Sequence, residues 1–149
     1  MIPALRDFLR SLVEPPPPGE APVSIELATA VLLVEAMRAD RGTQSAERDA
    51  VAQILQQRFS IDDGDLHDLL AAAEDRSRRS NDFFSFTSVL NDRLTQPQKI
   101  EIVELMWRVA YVDGHADAGE SHIISKIAGL LHVTHGEYIA AKMHAKQGR

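Results

Sequence analysis

Apolar residues along the chain recur at intervals of three and four, the spacing of one face of an α-helix. Ile25, Leu27, Ala30, Val31, Val34 and Met37 predict a helix that Ser24 caps and that runs to about Ala39. The polar run Asp40-Arg41-Gly42-Thr43-Gln44 reads as a turn. A second helix follows from about Ser45 to Arg58, with Val51, Ile54 and Leu55 inward. Ser60-Ile61-Asp62-Asp63 opens a third, which carries Leu66, Leu69, Leu70 and Ala73. The charged stretch from Glu74 to Asn81 reads as a solvated helix end and loop; its Arg76, Arg78 and Arg79 are a secondary candidate for holding an anion. Phe83, Phe84, Phe86, Val89, Leu90 and Leu94 mark a fourth helix, with the phenylalanines read as core. Pro97 suits a helix start, and that helix runs to about Val112. Two more are expected near Ala118–Leu131 and Gly136–Lys146. Strand-like alternation with hairpin turns is missing, so the expectation is an all-α bundle of seven helices.

An eighth helix is expected before the domain. Ile2, Leu5, Phe8, Leu9 and Leu12 share a helical face, and Pro15 to Pro18 stop it. Residues 1–20 thus read as an amphipathic helix and a stiff linker, and 21–149 as the helical domain. The apolar face is expected to dock on its own domain or on a second copy, giving a homodimer. Only Arg6 and Arg10 supply positive charge, so a membrane-surface anchor is the minor reading. The segment lacks a secretory apolar core, and no apolar run approaches the roughly 20 residues of a spanning helix. A cytoplasmic protein is the expectation.

The chain also repeats itself. The segment from Leu32 matches the segment from Leu105: Asp40 aligns with Asp113, Glu47 with Glu120 and Ile54 with Ile127. After one skipped residue, Phe59-Ser60-Ile61 matches Leu131-His132-Val133. Ser60 with Asp63, and Thr134 with Glu137, then read as capping boxes opening the next helix in each half. Each half alone would leave an apolar face bare, so the two are expected to pack face to face about a pseudo-twofold axis. Two units are too few for a solenoid. Glu35 and Arg108 occupy equivalent positions and are expected near this interface, as a structural ion pair with each other or with another acid.

Composition matters here mainly through charge and cysteine. The chain has 149 residues, a net charge of −6 and no cysteine. Disulfides and cysteine-ligated metals are excluded, and the negative balance argues against nucleic acid as a partner. The repeat directs attention to particular acids: Asp40 and Glu47 in the first half, Asp113, Asp117 and Glu120 in the second. The second turn is too short and too poor in oxygen ligands to be an EF-hand loop. Asp117 and Glu120 have the spacing of a capping box, and Gly114 stops the preceding helix, which explains them structurally. Functionally, clustered carboxylates repel unless a cation, a proton or a basic side chain compensates. The five acids are therefore candidate ligands for a divalent metal ion such as calcium or zinc, or the contact for a basic protein partner. His115 and His122 flank the second turn and are weaker candidates for zinc or nickel. No zinc-protease, P-loop or dinucleotide motif occurs, and nucleophilic catalysis has no anchor.

The segments LLVEAMRAD and LMWRVAYVDGHADAGESHIISKIAGLLHV resemble the TerB-like family of tellurite-resistance proteins. The same module is similar to the N-terminal region of the membrane co-chaperone DjlA. The resemblance covers about Ala28 to Ala141. It implies a two-halved helical bundle with an acidic surface, in a bacterial cytoplasmic protein linked to tellurite resistance, stress response or membrane-associated metal-sensing complexes. It implies no enzymatic activity. The family's acidic motif carries over onto Asp113, Gly114 and Glu120, and onto Glu35, Asp40, Glu47 and Asp117. Arg41 stands where the motif has glycine and Gln44 where it has an acid, so the first half is expected to contribute less. Two other functions remain open from the residues: a metal-dependent hydrolase using Asp113, Glu120 and His115 or His122, and a purely structural oligomeric adaptor.

Overall fold

The computed structural model describes residues 23–39, 45–80, 83–112, 114 and 118–147. Among them are seven α-helices and no strand: α1 (Ile25–Arg38), α2 (Ser45–Phe59), α3 (Asp63–Arg79), α4 (Phe84–Arg93), α5 (Gln96–Ala110), α6 (Ala118–Leu130) and α7 (His135–Gln147). The all-α expectation holds. The expected N-terminal helix and proline linker lie outside the described residues.

The helices start where their side chains satisfy free backbone N–H groups. Ser24 Oγ accepts from the Leu27 N–H at 3.0 Å. Thr95 and Gln98 form a reciprocal capping box at the start of α5, with Pro97 in the first turn. Thr134 and Glu137 form the expected box ahead of α7: the Thr134 N–H donates to Glu137 at 2.9 Å, and the Glu137 N–H to Thr134 Oγ1 at 3.2 Å. The box expected from Ser60 and Asp63 is not how α3 begins. Asp62 is its cap, accepting from the Asp65 N–H at 2.8 Å. Ser60 instead sits in the left-handed region, with φ 52°, and its match His132 has φ 61°. At His132 the following bonds, Val133 N–H to Ala128 and His132 N–H to Gly129, complete a Schellman stop. The true mate of Thr134 is thus Asp62, two residues after the left-handed residue in each half.

The stretch expected as a helix end and loop after Glu74 remains helical to Arg79. Ser77, within it, is buried and ties α3 to α1, which explains why the helix persists through a charged run.

Helix α1 is apolar on every side and buried almost throughout, as such a helix must be. It packs against α2, α3, α4, α5 and α6. Helix α5 is the second centre, packing against α1, α2, α6 and α7. The packing comes in matched sets: α1 on α3 as α5 on α7, α1 on α2 as α5 on α6, and α1 on α6 as α5 on α2. Helix α4 has no counterpart among the described helices; it lies against α1 and α6. The core contains Trp107, which stacks on Tyr111 at 5.6 Å between centroids and meets Tyr138 at 5.7 Å. Lys142 covers the Trp107 ring at 5.0 Å, a cation–π contact.

Candidate functional site

Glu47 and Glu120 stand in the first turns of α2 and α6, the matched second helices of the two halves. Both are buried, with 0% and 1% exposure. Charged carboxylates are rarely buried so fully without compensation. A first-turn position supplies some, because the helix N-terminus presents N–H groups and a partial positive charge. Both residues are therefore drawn into the interior, each in the helix that follows, in sequence, the segments 40–44 and 113–117. The remaining acid candidates, Asp40, Asp113 and Asp117, lie outside the described residues, as does His115.

His122 does not share a face with Glu120. It is exposed, whereas Glu120 is buried, and residues two apart on a helix point to nearly opposite sides. Among the described residues, no three His, Asp or Glu side chains converge as a metal site. Gly114 adopts φ 103°, a backbone state that glycine enters freely, and its N–H bonds to the Tyr111 carbonyl at 2.9 Å. Helix α5 itself ends at Ala110 with Tyr111 as its cap, so Gly114 shapes the bend beyond the helix and is not its stop.

Glu35 and Arg108 do not pair directly. Glu35 accepts from the Ser77 hydroxyl and lies 3.6 Å from Arg38 Nη1, while Arg38 also donates to Ser77 Oγ at 2.6 Å. This small network joins α1 to α3. Arg108 takes another acid, Glu104, at 3.3 Å, one helical turn away. His144 Nδ1 reaches the other oxygen of Glu104 at 2.7 Å. Arg108 is 47% exposed, so it is a surface residue and not the partly buried interface cation expected. The reason is local: Glu104 lies at i−4 on the same helix face, within direct reach of Arg108. That spacing was readable beforehand, whereas Ser77 and His144 come from other helices and carry no local signal.

Arg108 also borders an open groove of about 430 Å³. Gln53, Ile54 and Gln57 of α2 form one wall, with Val112 beyond the end of α5 and Ala145 of α7 completing it. Arg58 of α2 and Glu101 of α5, 2.6 Å apart, tie the two helices together.

Two titratable groups are shifted near α7. Glu137 is held below the ordinary glutamate value, first by the Thr134 N–H and then by the Gln96 amide. Burial raises the Tyr138 phenol above its ordinary value. Neither is near the acidic turns in sequence, and neither suggests acid–base chemistry.

No curated protein and no solved structure matches the chain. The family model described as "Tellurite resistance protein TerB" matches residues 26–143, which runs from the first turn of α1 through the intervening helices to Met143 of α7. That span contains both acidic turns and both buried glutamates, and on it the chain belongs to the TerB family of tellurite resistance proteins.

Proposed function

We propose that this protein is a non-enzymatic helical module whose acidic turns bind a divalent cation. The observation that carries this reading is the pair of buried glutamates at matched positions, Glu47 and Glu120. Each follows, within seven residues of sequence, further carboxylates: Asp40 ahead of Glu47, and Asp113 and Asp117 ahead of Glu120. A buried carboxylate cannot touch the surface of a basic protein, but it can be reached by a small ion. This favours the metal over the basic partner. A hydrolytic reading is weaker still, because His122 points away from Glu120. Membership of the family supports a place in tellurite resistance or a related stress response.

The site is expected to be an oxygen site, with the second half binding more tightly because Gln44 replaces the acid of position 117. The test is thermal melting of the full chain with calcium, manganese, zinc and nickel ions. A metal at a hundred times its Kd adds about 2.7 kcal/mol, a rise of several degrees for a domain of this size. Asp113→Asn and Glu120→Gln should abolish most of that rise. An unchanged melting temperature with every metal, or an equal rise in Asp113→Asn, refutes the proposal.

A further inference from the structure

We propose that residues 2–12 of this chain dock in the groove between α2, α5 and α7, as the pseudo-symmetric mate of α4. The argument starts from the odd helix. Helices α1, α2 and α3 correspond to α5, α6 and α7, and α4 alone lacks a counterpart among the described helices. Its seat lies on α1 and α6. Exchanging the two halves turns α1 into α5 and α6 into α2, so the corresponding seat is the angle between α5 and α2. That is where the groove lies.

The correspondence holds residue by residue on the longer wall. Two residues of α6 touch the α4 segment. Lys126 Nζ sits over the Phe83 ring at 5.6 Å, and the Leu130 carbonyl accepts from Asn91 Nδ2 at 2.9 Å. In the register that aligns Glu47 with Glu120, their mates are Gln53 and Gln57, and both line the groove. Between them, Ile127 is fully buried, whereas its mate Ile54 is only partly buried. Val112, at the groove's end, is an exposed large apolar residue. Among the described residues, the groove therefore has the form of a helix seat whose floor is only half covered.

The chain also supplies the occupant in the right order. Helix α4 immediately precedes the second half, and residues 2–12 precede the first. Ile2, Leu5, Leu9 and Leu12 repeat the three- and four-residue spacing of Phe83, Phe86, Leu90 and Leu94. The link is longer here. Residues 13–22, rich in proline, span up to about 30 Å when extended, enough to cross one face of a domain this size. A stiff linker of that kind delivers the segment across the domain without folding back on α1.

The chain lacks cysteine, so pairs can be introduced into the full-length protein without background. Arg6 flanks the apolar face of the segment. Arg6→Cys is combined with Gln53→Cys or Gln57→Cys in the groove, or with Asp92→Cys on the exposed side of α4 as the control. Docking predicts an intramolecular disulfide with at least one groove cysteine, forming at least ~10-fold faster than with Asp92→Cys, since an undocked tethered segment meets both sites at comparable effective concentration. Phe8→Asp in the same background should bring the rate down to the control, while circular dichroism shows the domain still folded. Equal rates at groove and control overturn the proposal. So does a disulfide that forms only between two chains in dilute solution, which would place the segment on a second copy.

Discussion

Among the described residues, two side chains occupy backbone conformations that suit glycine. Ser60 and His132 both have positive φ, at the same place in the two halves, and both are exposed. A left-handed conformation costs an L-residue about 1–2 kcal/mol, while glycine adds about 0.5–1 kcal/mol of unfolded-state entropy. Ser60→Gly and His132→Gly are each expected to stabilise the protein by up to about 1 kcal/mol, read as a higher urea midpoint with an unchanged slope. A lower midpoint in both would mean the side chains contribute contacts that outweigh the strain. The pairing of these residues was legible in the sequence, since Ser60 aligns with His132. Their conformation was not, because nothing in a serine or a histidine announces a left-handed residue. The same limit explains Ser77. A serine inside a charged run looks solvated until α1 brings Glu35 and Arg38 against it. Glu47 and Glu120 were the reverse case: the repeat selected them as special, and only the packing of α2 and α6 revealed that they are buried.

At the level of the helix, start signals were the most readable feature. Ser24, Thr134 with Glu137, and Pro97 all stand at the helix ends that their chemistry predicts. Ends set by tertiary contact, such as that of α3, were not. The box at α7 also makes a pH prediction. The ionised Glu137 accepts from the Thr134 N–H at 2.9 Å and from Gln96 Nε2 at 3.0 Å, and its pKa is lowered for those reasons. A carboxyl depressed in the folded state binds its proton more readily when unfolded. Its contribution is therefore present above the unfolded value and is lost as pH falls through the folded one. Glu137→Gln should be less stable than the native chain at neutral pH. The gap should close as pH drops below the ordinary glutamate range, as followed by urea midpoints across that interval. A gap that persists in acid would assign the effect to packing instead of charge. Gln96 links this box to α5, since the same amide also donates to the His132 carbonyl at 3.0 Å. The start of α7, the stop of α6 and the start of α5 are consequently one hydrogen-bonded corner.

For the whole molecule, the decisive feature is that neither half owns its core. Helix α1 belongs to the first half by sequence, yet it packs on α5 and α6 as well as on α2 and α3. Its residues Leu27 to Val34 are fully buried, which requires cover from both halves at once. Helix α5 is placed in the same way with respect to α2. An isolated half would expose the side of α1 or α5 that the other half covers, and a fragment this small has little burial to spare. The expectation is one cooperative unfolding transition for the chain, with the same midpoint by tryptophan fluorescence and by circular dichroism. Trp107 is the only tryptophan and lies fully buried in α5, so fluorescence reports the second half while circular dichroism reports both. Fragments 1–94 and 95–149 should each be unfolded alone and regain helicity when mixed. Two separate transitions, or a fragment that folds by itself, would mean that the halves are independent units and that the shared packing of α1 is secondary. Cooperativity of this kind also bears on the acidic turns. Each turn joins a central helix, α1 or α5, to the helix that crosses onto the other half. A cation bound at either turn would then stabilise the whole bundle, which is why a melting temperature is the proper reporter for the metal.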